Sequence, residues 1–142
     1  STHHDNGLDL LDLEIEQTSS RPDFSILVYP VITMNKPYTH NGSRENLLGK
    51  IPPQEYLDYY SNDLQVREDT PPAILIHSDD DQAVLPENSI QYYLALRKYN
   101  IPAALHIWED GGHGYGLGKD KGSIKRWAKI CEEWMIQRSI IN

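Results

Sequence analysis

Ala73-Ile74-Leu75-Ile76-His77 is the stretch that decides the fold, because four apolar side chains follow one another in it without polar alternation. A continuous apolar run of this length is typical of a strand buried on both faces, as in a parallel sheet. Residues 24–30 and 103–108 form runs of the same type. The sequence therefore predicts three buried strands.

Helical patterns lie between and after the predicted strands. Short helices are predicted near Arg44–Leu48, after a turn at Asn41-Gly42-Ser43, and over 53–60, with a longer helix over about 86–99. Apolar or long side chains recur in the longer helix at Ile90, Tyr93, Leu94 and Arg97. The final helix has the clearest stripe, formed by Ile124, Trp127, Ala128, Cys131, Trp134 and Met135. This order predicts an α/β fold, a parallel sheet with flanking helices and right-handed crossovers.

The chain divides into a polar start and one α/β domain. Residues 1–20 are predicted to be a linker with room for a helical turn, and residues 21–142 to be part of a larger domain. Residues 35–70 form a long polar excursion, which is typical of a lid-like insertion; a solvated connector is the alternative. Three strands leave two open sheet edges, so we expect another copy of the chain, or the part of the domain not present here, to complete the sheet.

Charge and composition exclude several classes of function. The formal charge is −8, from 13 basic and 21 acidic residues, and the basic residues are scattered, which argues against nucleic acid or an anionic membrane as a partner. No run approaches ~18 consecutive apolar residues, so no transmembrane helix is predicted. The first residues are not a signal-peptide pattern, and the compartment stays open. Nine tyrosines against one phenylalanine suit ring-like polar ligands such as sugars, with half-buried packing as the alternative.

Two loops carry candidate chemistry, and both follow the carboxyl ends of predicted strands. The first is the acidic loop Ser78-Asp79-Asp80-Asp81-Gln82-Ala83-Val84, and the second is the glycine loop over residues 109–118, where His113 lies between glycines. Neighbouring parallel strands end at one edge of a sheet, so the two loops can meet there. A carboxylate bound to one imidazole nitrogen leaves the other free to act as a general base, as in a hydrolytic triad. A solvated loop with an idle histidine is the alternative.

Metal binding is another interpretation of these polar residues. The three aspartates could bind a cation, but the run lacks the calcium-loop glycine and the ligand pattern breaks at Ala83. His3 and His4 have no further ligand at useful spacing. Cys131 is the only cysteine and lies in an apolar stripe, which favours a buried small hydrophobe over a nucleophile. No nucleotide motif is present, and we expect no metal and no cofactor.

Separated motifs over about residues 21–138 carry a family resemblance. They are Arg21-Pro22-Asp23-Phe24 leading into Tyr29-Pro30-Val31-Ile32, the stretch from His40 to Gly49, Pro71 to His77 with Asp81 and Val84, Glu87-Asn88-Ser89, Tyr93, Leu96, Ile101-Pro102, and Gly111 to Gly116. In order and spacing they resemble the C-terminal half of an α/β-hydrolase of the carbohydrate-esterase type, which includes acetylxylan and feruloyl esterases and xylanase-B-like members. Ser78 and Leu85 depart from this pattern, which more often has glycine and proline.

The resemblance implies roles for particular residues. Asp81 would be the triad acid, with Asp80 as second choice, and His113 the triad base. An acylated carbohydrate such as acetyl or feruloyl xylan would be the substrate, and a secreted or periplasmic location is favoured.

The nucleophile is the main departure from the family pattern. The fold orders its triad as serine, acid, histidine, with the serine on a Gly-x-Ser-x-Gly elbow, and residues 1–142 contain no such pentapeptide. Ser25, Ser43 and Ser78 lack the elbow context. We therefore expect a serine ester hydrolase whose elbow and oxyanion-hole donors precede residue 1, and a 142-residue chain that is inactive alone. The alternatives are a non-catalytic hydrolase-derived binding or interaction module, and a peptidase or lipase of the same fold.

Overall fold

Three parallel strands in the order β1-β2-β3 form the centre of the protein. They are β1 (Ser25–Val28), β2 (Ala73–Ser78) and β3 (Ala103–Trp108), at the positions that the apolar runs predicted. Val28 pairs with Ile76, and Ser78 pairs with Trp108. The carboxyl ends of all three strands therefore lie along one edge of the sheet.

The structure is a computed structural model that describes residues 2–3, 19–118 and 122–142. The predicted linker over residues 1–20, with His4 of the histidine pair, lies almost wholly outside them. The described part contains four α-helices, α1 (Asn41–Leu48), α2 (Gln54–Tyr60), α3 (Glu87–Lys98) and α4 (Trp127–Gln137). Of these, α3 and α4 pack against the sheet. None of these helices is long and apolar enough to span a membrane.

The alternation of side chains along β2 divides the core into two layers. Leu75 belongs to the layer that contains Leu96 of α3. Ile74 belongs to the opposite layer, with Cys131 and Trp134 of α4. All six residues of β2 are buried because both faces of the strand are covered, as a parallel sheet requires.

The helices differ from the sequence patterns in three details. Residues 41–43 are the first turn of α1, because Nδ1 of His40 accepts a hydrogen bond from the Ser43 N–H at 3.2 Å and caps the helix earlier than predicted. In α3, Leu94 is 50% exposed, and the buried residues are Asn88, Ser89, Tyr92 and Leu96. In α4, Ala128 is exposed, and Ile130 packs against the core.

Asn88 holds the start of the 35–70 insertion against α3. Its Oδ1 accepts hydrogen bonds from the N–H groups of Ile32 at 2.9 Å and Thr33 at 3.0 Å. Its amide donates to the carbonyls of Tyr38 at 2.8 Å and Leu85 at 3.1 Å. This fully buried polar side chain is satisfied as buried amides require, and it ties the insertion to the end of the acidic loop. The lid-like role of the insertion stays a prediction.

Asn88→Ala removes four hydrogen bonds at once. We expect the free energy of unfolding to fall by about 2–4 kcal/mol, because each buried polar group left unsatisfied costs about 1–3 kcal/mol and local relaxation recovers part of the loss. Asn46→Ala, on the exposed side of α1, is the control and should change stability by less than about 0.5 kcal/mol. Urea denaturation followed by circular dichroism measures both, and equal losses would contradict the role given to Asn88.

Candidate active site

The acidic loop turns sharply after β2 and buries one of its three aspartates. The N–H of Asp79 donates to the Trp108 carbonyl at 2.7 Å and extends the pairing of β2 with β3. Asp81 is completely buried. Its Oδ1 accepts hydrogen bonds from the N–H groups of Ala83 at 3.0 Å and Val84 at 2.9 Å. Such local side-chain to backbone bonds are typical of aspartate in a turn, and they leave Oδ2 for other partners.

His113 of the glycine loop meets that second oxygen. Its Nδ1 lies 2.8 Å from Oδ2 of Asp81, and its side chain is 38% exposed. An ionised carboxylate can only accept, so Nδ1 carries the proton and Nε2 of the neutral ring is an acceptor. The structure thus brings together the two residues that the sequence predicted as acid and base, in the tautomer a general base needs.

The carboxyl group of Asp81 is held ionised by its surroundings. Burial by itself raises the pKa of Asp81, but the hydrogen bonds from Val84, His113 and Ala83 outweigh it and hold the pKa below its usual range. A carboxylate that accepts several hydrogen bonds is stabilised in its charged form. Asp81 is therefore negatively charged at pH 7.

Two further hydrogen bonds hold the glycine loop, one to the acidic loop and one to α4, and Gly111 lies close to β2. Oδ1 of Asp80 accepts a hydrogen bond from the Gly112 N–H at 2.8 Å, which is where the structure places the second-choice acid. Nε1 of Trp127 donates to the Gly116 carbonyl at 2.9 Å. A Cβ at Gly111 would overlap Oγ of the buried Ser78, so only glycine allows the loop to approach β2 this closely.

Tyr29 packs against both His113 and Tyr115. The ring of Tyr29, directly after β1, lies edge-on to the His113 ring at 4.8 Å and to the Tyr115 ring at 4.7 Å between centroids. Tyr29 has a positive φ of 40°, which is uncommon outside glycine. Burial raises the pKa of the Tyr115 hydroxyl and keeps it neutral. Sequence reasoning missed these contacts, because the two tyrosines lie far apart in the chain and no local pattern predicts that they meet.

His77 is a further residue that sequence reasoning missed. It is completely buried at the end of β2, with Nε2 2.9 Å from the Val84 carbonyl and 3.3 Å from Oδ2 of Asp81. Its Nδ1 lies 2.7 Å from Oγ of Ser89. Burial lowers the pKa of His77 more than the nearby acceptors raise it, so the ring is neutral at pH 7. The available signal was a polar residue at the end of a strand otherwise apolar on both faces.

In the part of the chain that it describes, the structure gives no support to the metal ligands and alternative nucleophiles that the sequence analysis considered. Within residues 2–3, 19–118 and 122–142, no group of three or more histidine, cysteine, aspartate or glutamate residues could hold a metal ion. Cys131 is buried in the α4 layer, and burial raises the pKa of its thiol to about 11. Ser25 lies in β1, and the Ser43 hydroxyl lies 2.8 Å from the His40 ring.

A model of the prolyl oligopeptidase family matches residues 19–139. The chain belongs to this family. Prolyl oligopeptidase family members share the α/β-hydrolase fold with the carbohydrate esterases that the sequence resembles, and a solved structure confirms the predicted fold.

Relatives of this prolyl oligopeptidase family chain carry esterase and xylanase names. It is 42% identical over 102 residues to an acetylxylan esterase of Xylanibacter ruminicola, a match that covers 69% of the chain and 21% of that protein. It is 41% identical over 108 residues to endo-1,4-beta-xylanase B of Butyrivibrio fibrisolvens, covering 76% of the chain and 17% of that protein.

A solved structure extends the match to nearly the whole chain. The acetyl ester-xyloside bifunctional hydrolase from Caldicellulosiruptor lactoaceticus superposes with a TM-score of 0.93 at 39% identity, covering 99% of this chain and 52% of that one. The family member described here therefore spans about half the length of that hydrolase and about a fifth of the two curated relatives.

The pH dependence of stability tests the neutral state of His77. Its pKa is lowered in the folded protein from an ordinary value of 6.5, so its contribution is fully present above pH 6.5 and is lost as the pH falls toward the folded pKa. We expect the free energy of unfolding to fall less steeply between about pH 6.5 and 5 in His77→Gln than in the wild type. Urea denaturation at several pH values measures the slope. His106→Gln, on β3, is the matched control, and a His77→Gln slope identical to wild type would contradict the neutral assignment.

Proposed function

We propose that this chain carries the acid and base of a serine-type carboxylic-ester hydrolase, with Asp81 and His113 in these roles. One observation carries the proposal: a buried, hydrogen-bonded carboxylate lies 2.8 Å from one nitrogen of a histidine whose side chain is 38% exposed. This arrangement supplies an oriented base with an accessible second nitrogen. The esterase names of the relatives support the same class of reaction.

Each group has a defined task in the proposed reaction. Nε2 of His113 removes the proton from a serine hydroxyl as its oxygen attacks the ester carbonyl, and a tetrahedral intermediate forms. The imidazolium then protonates the departing alkoxide, which leaves an acyl-serine. Water, activated by the same nitrogen, hydrolyses the acyl-serine and regenerates the site. Asp81 keeps the proton on Nδ1 and stabilises the imidazolium that forms in each half-reaction.

The serine and the oxyanion-hole donors belong, in this proposal, to sequence that precedes residue 1. The order of the triad in α/β-hydrolases places the nucleophile before the acid and the histidine. The same upstream part would supply a parallel strand for the edge of β1 that does not face β2. A second copy of the chain is the other candidate for that edge, and sedimentation of the 142-residue chain distinguishes the two.

Activity should appear only when the upstream coding sequence is joined to this chain. We expect the joined protein to hydrolyse p-nitrophenyl acetate and release acetate from acetylated xylan, and the 142-residue chain alone to do neither. In the joined protein, His113→Ala and Asp81→Asn should each lower kcat about 10³- to 10⁴-fold.

The neighbouring aspartate is the control for that experiment. Asp79 is exposed, and Asp79→Asn should retain kcat within about threefold, because its side chain has no part in the proposed proton transfer. Turnover that survives His113→Ala would refute the mechanism. An upstream sequence without a nucleophile elbow would favour the non-catalytic module.

An acetylated or feruloylated xylan is the proposed substrate. The chain itself offers a surface for such a polymer in a groove of about 670 Å³ between α1 and α2, lined by Leu47, Leu48, Glu55, Tyr56, Tyr59 and Tyr60. Tyr56 is 51% exposed and Tyr60 is 39% exposed. Tyrosine rings present a flat apolar face and a hydroxyl, which suits pyranose rings. The insertion that carries the groove leaves the sheet at the same edge as Asp81 and His113.

Binding of xylan tests this part of the proposal without any turnover. We expect the 142-residue chain to be retarded in a native gel that contains xylan, and Tyr56→Ala to weaken binding about two- to tenfold, since one aromatic contact contributes about 0.5–1.5 kcal/mol. Tyr99→Ala, at the end of α3, is the control with similar exposure. Retardation that is absent, or equal in both variants, would remove the groove from the proposal.

A peptidase is the second candidate function, because the family model is named for prolyl oligopeptidases. The same acid and base would serve amide hydrolysis. Assays of the joined protein on a prolyl p-nitroanilide beside p-nitrophenyl acetate decide between the two classes.

A further inference from the structure

His77 is a buried histidine beside Asp81 that has no role in the proposed proton transfer. Both of its ring nitrogens have close partners although the side chain is completely buried. The partners come from two different elements, since Val84 ends the acidic loop and Ser89 lies in α3. The His77 ring therefore connects β2 to the acidic loop and to α3, next to Asp81.

The partners fix which nitrogen of His77 carries the proton. The Val84 carbonyl can only accept, so the nitrogen 2.9 Å from it, Nε2, must donate. Nδ1 of the neutral ring then accepts from the Ser89 hydroxyl at 2.7 Å. The titratable groups that face the ring are Asp81 and His113, and the pKa of His77 is lowered chiefly by burial.

This tautomer holds the turn that carries Asp81. The Val84 carbonyl accepts a hydrogen bond from Nε2–H of His77, and the Val84 N–H donates to Oδ1 of Asp81 at 2.9 Å. The same Nε2 lies 3.3 Å from Oδ2 of Asp81, which is the oxygen that His113 contacts. Displacement of the ring would free both the carbonyl of the turn and one side of the carboxylate.

We propose that His77 is a positioning residue that aims the Asp81 carboxylate at His113. Its hydrogen bonds to Val84 and Ser89 hold the ring in a single tautomer. Its significance for catalysis rests on the proposed function, whereas the aiming itself is a property of the described residues. His77 touches neither substrate nor reacting atoms and acts only through Asp81.

Nitrogen-15 spectra of the histidine rings test the aiming in the 142-residue chain. In the wild type, His77 should show the Nε2–H tautomer, and His113 should show a protonated Nδ1 with a low-field proton resonance from its bond to Asp81. His77→Met should abolish that resonance and let His113 change to the Nε2–H tautomer. His77→Gln should restore it, because the glutamine amide can donate to the Val84 carbonyl.

Two further comparisons separate positioning from folding. His106→Met, on the neighbouring strand, should leave the His113 resonance in place. If His77→Met does not fold, Ser89→Ala keeps the ring and should broaden the His113 resonance. A wild-type His77 protonated on Nδ1, or a folded His77→Met chain with an unchanged His113 resonance, would overturn the proposal.

Kinetics of the joined protein distinguish this proposal from the proposed function. His77→Met should lower kcat about 10- to 100-fold with KM unchanged, as expected for a displaced catalytic group, and His77→Gln should recover most of it. A joined protein without esterase activity whose spectra behave as described would refute the function and leave the positioning role intact.

Discussion

The buried carboxylate of Asp81 is the group on which the arrangement of the site depends. A carboxylate taken out of water is strongly destabilised unless charged partners or hydrogen bonds replace the lost hydration. Here two backbone N–H groups bind one oxygen and the His113 ring binds the other, with the His77 ring close by. Each bond to a charged group contributes about 1.5–3 kcal/mol, so the loop conformations that provide these partners are strongly favoured over alternatives that do not.

Strand β2 fixes the position of Asp81 and its hydrogen-bond partners. The strand is buried along its whole length and is paired on both sides, so its carboxyl end has little freedom. The N–H of Asp79 continues the pairing to Trp108 at 2.7 Å, past the end of β2, and the glycine loop begins directly after Trp108 on the partner strand. Asp81 and His113 therefore lie on loops that directly follow two paired strands, and this restricts the distance between the two side chains.

The sequence predicted the parts of this structure that depend on apolar patterning and on the topology of parallel sheets. The three strands follow from uninterrupted apolar runs, and the meeting of Asp81 with His113 follows from loops that leave the same edge of a sheet. Patterning failed where polar side chains are buried. Asn88 and Ser89 lie on the inward face of α3, because their partners are Ile32, Thr33 and His77. These partners lie 12 to 56 residues away in the chain, and no local period encodes such distances.

On the proposed mechanism, the half of the site described here is already organised before the nucleophile is considered. His113 has its tautomer set by Asp81, and one side of its ring packs against Tyr29. A serine must then approach Nε2 from the side that neither residue covers, which restricts its position without any contact to the acid. Preorganised groups that need no rearrangement during the reaction are a large source of catalytic rate. In this mechanism the strand fixes the acid, and the acid fixes the base. Both groups lie within residues 19–139, which the family model matches.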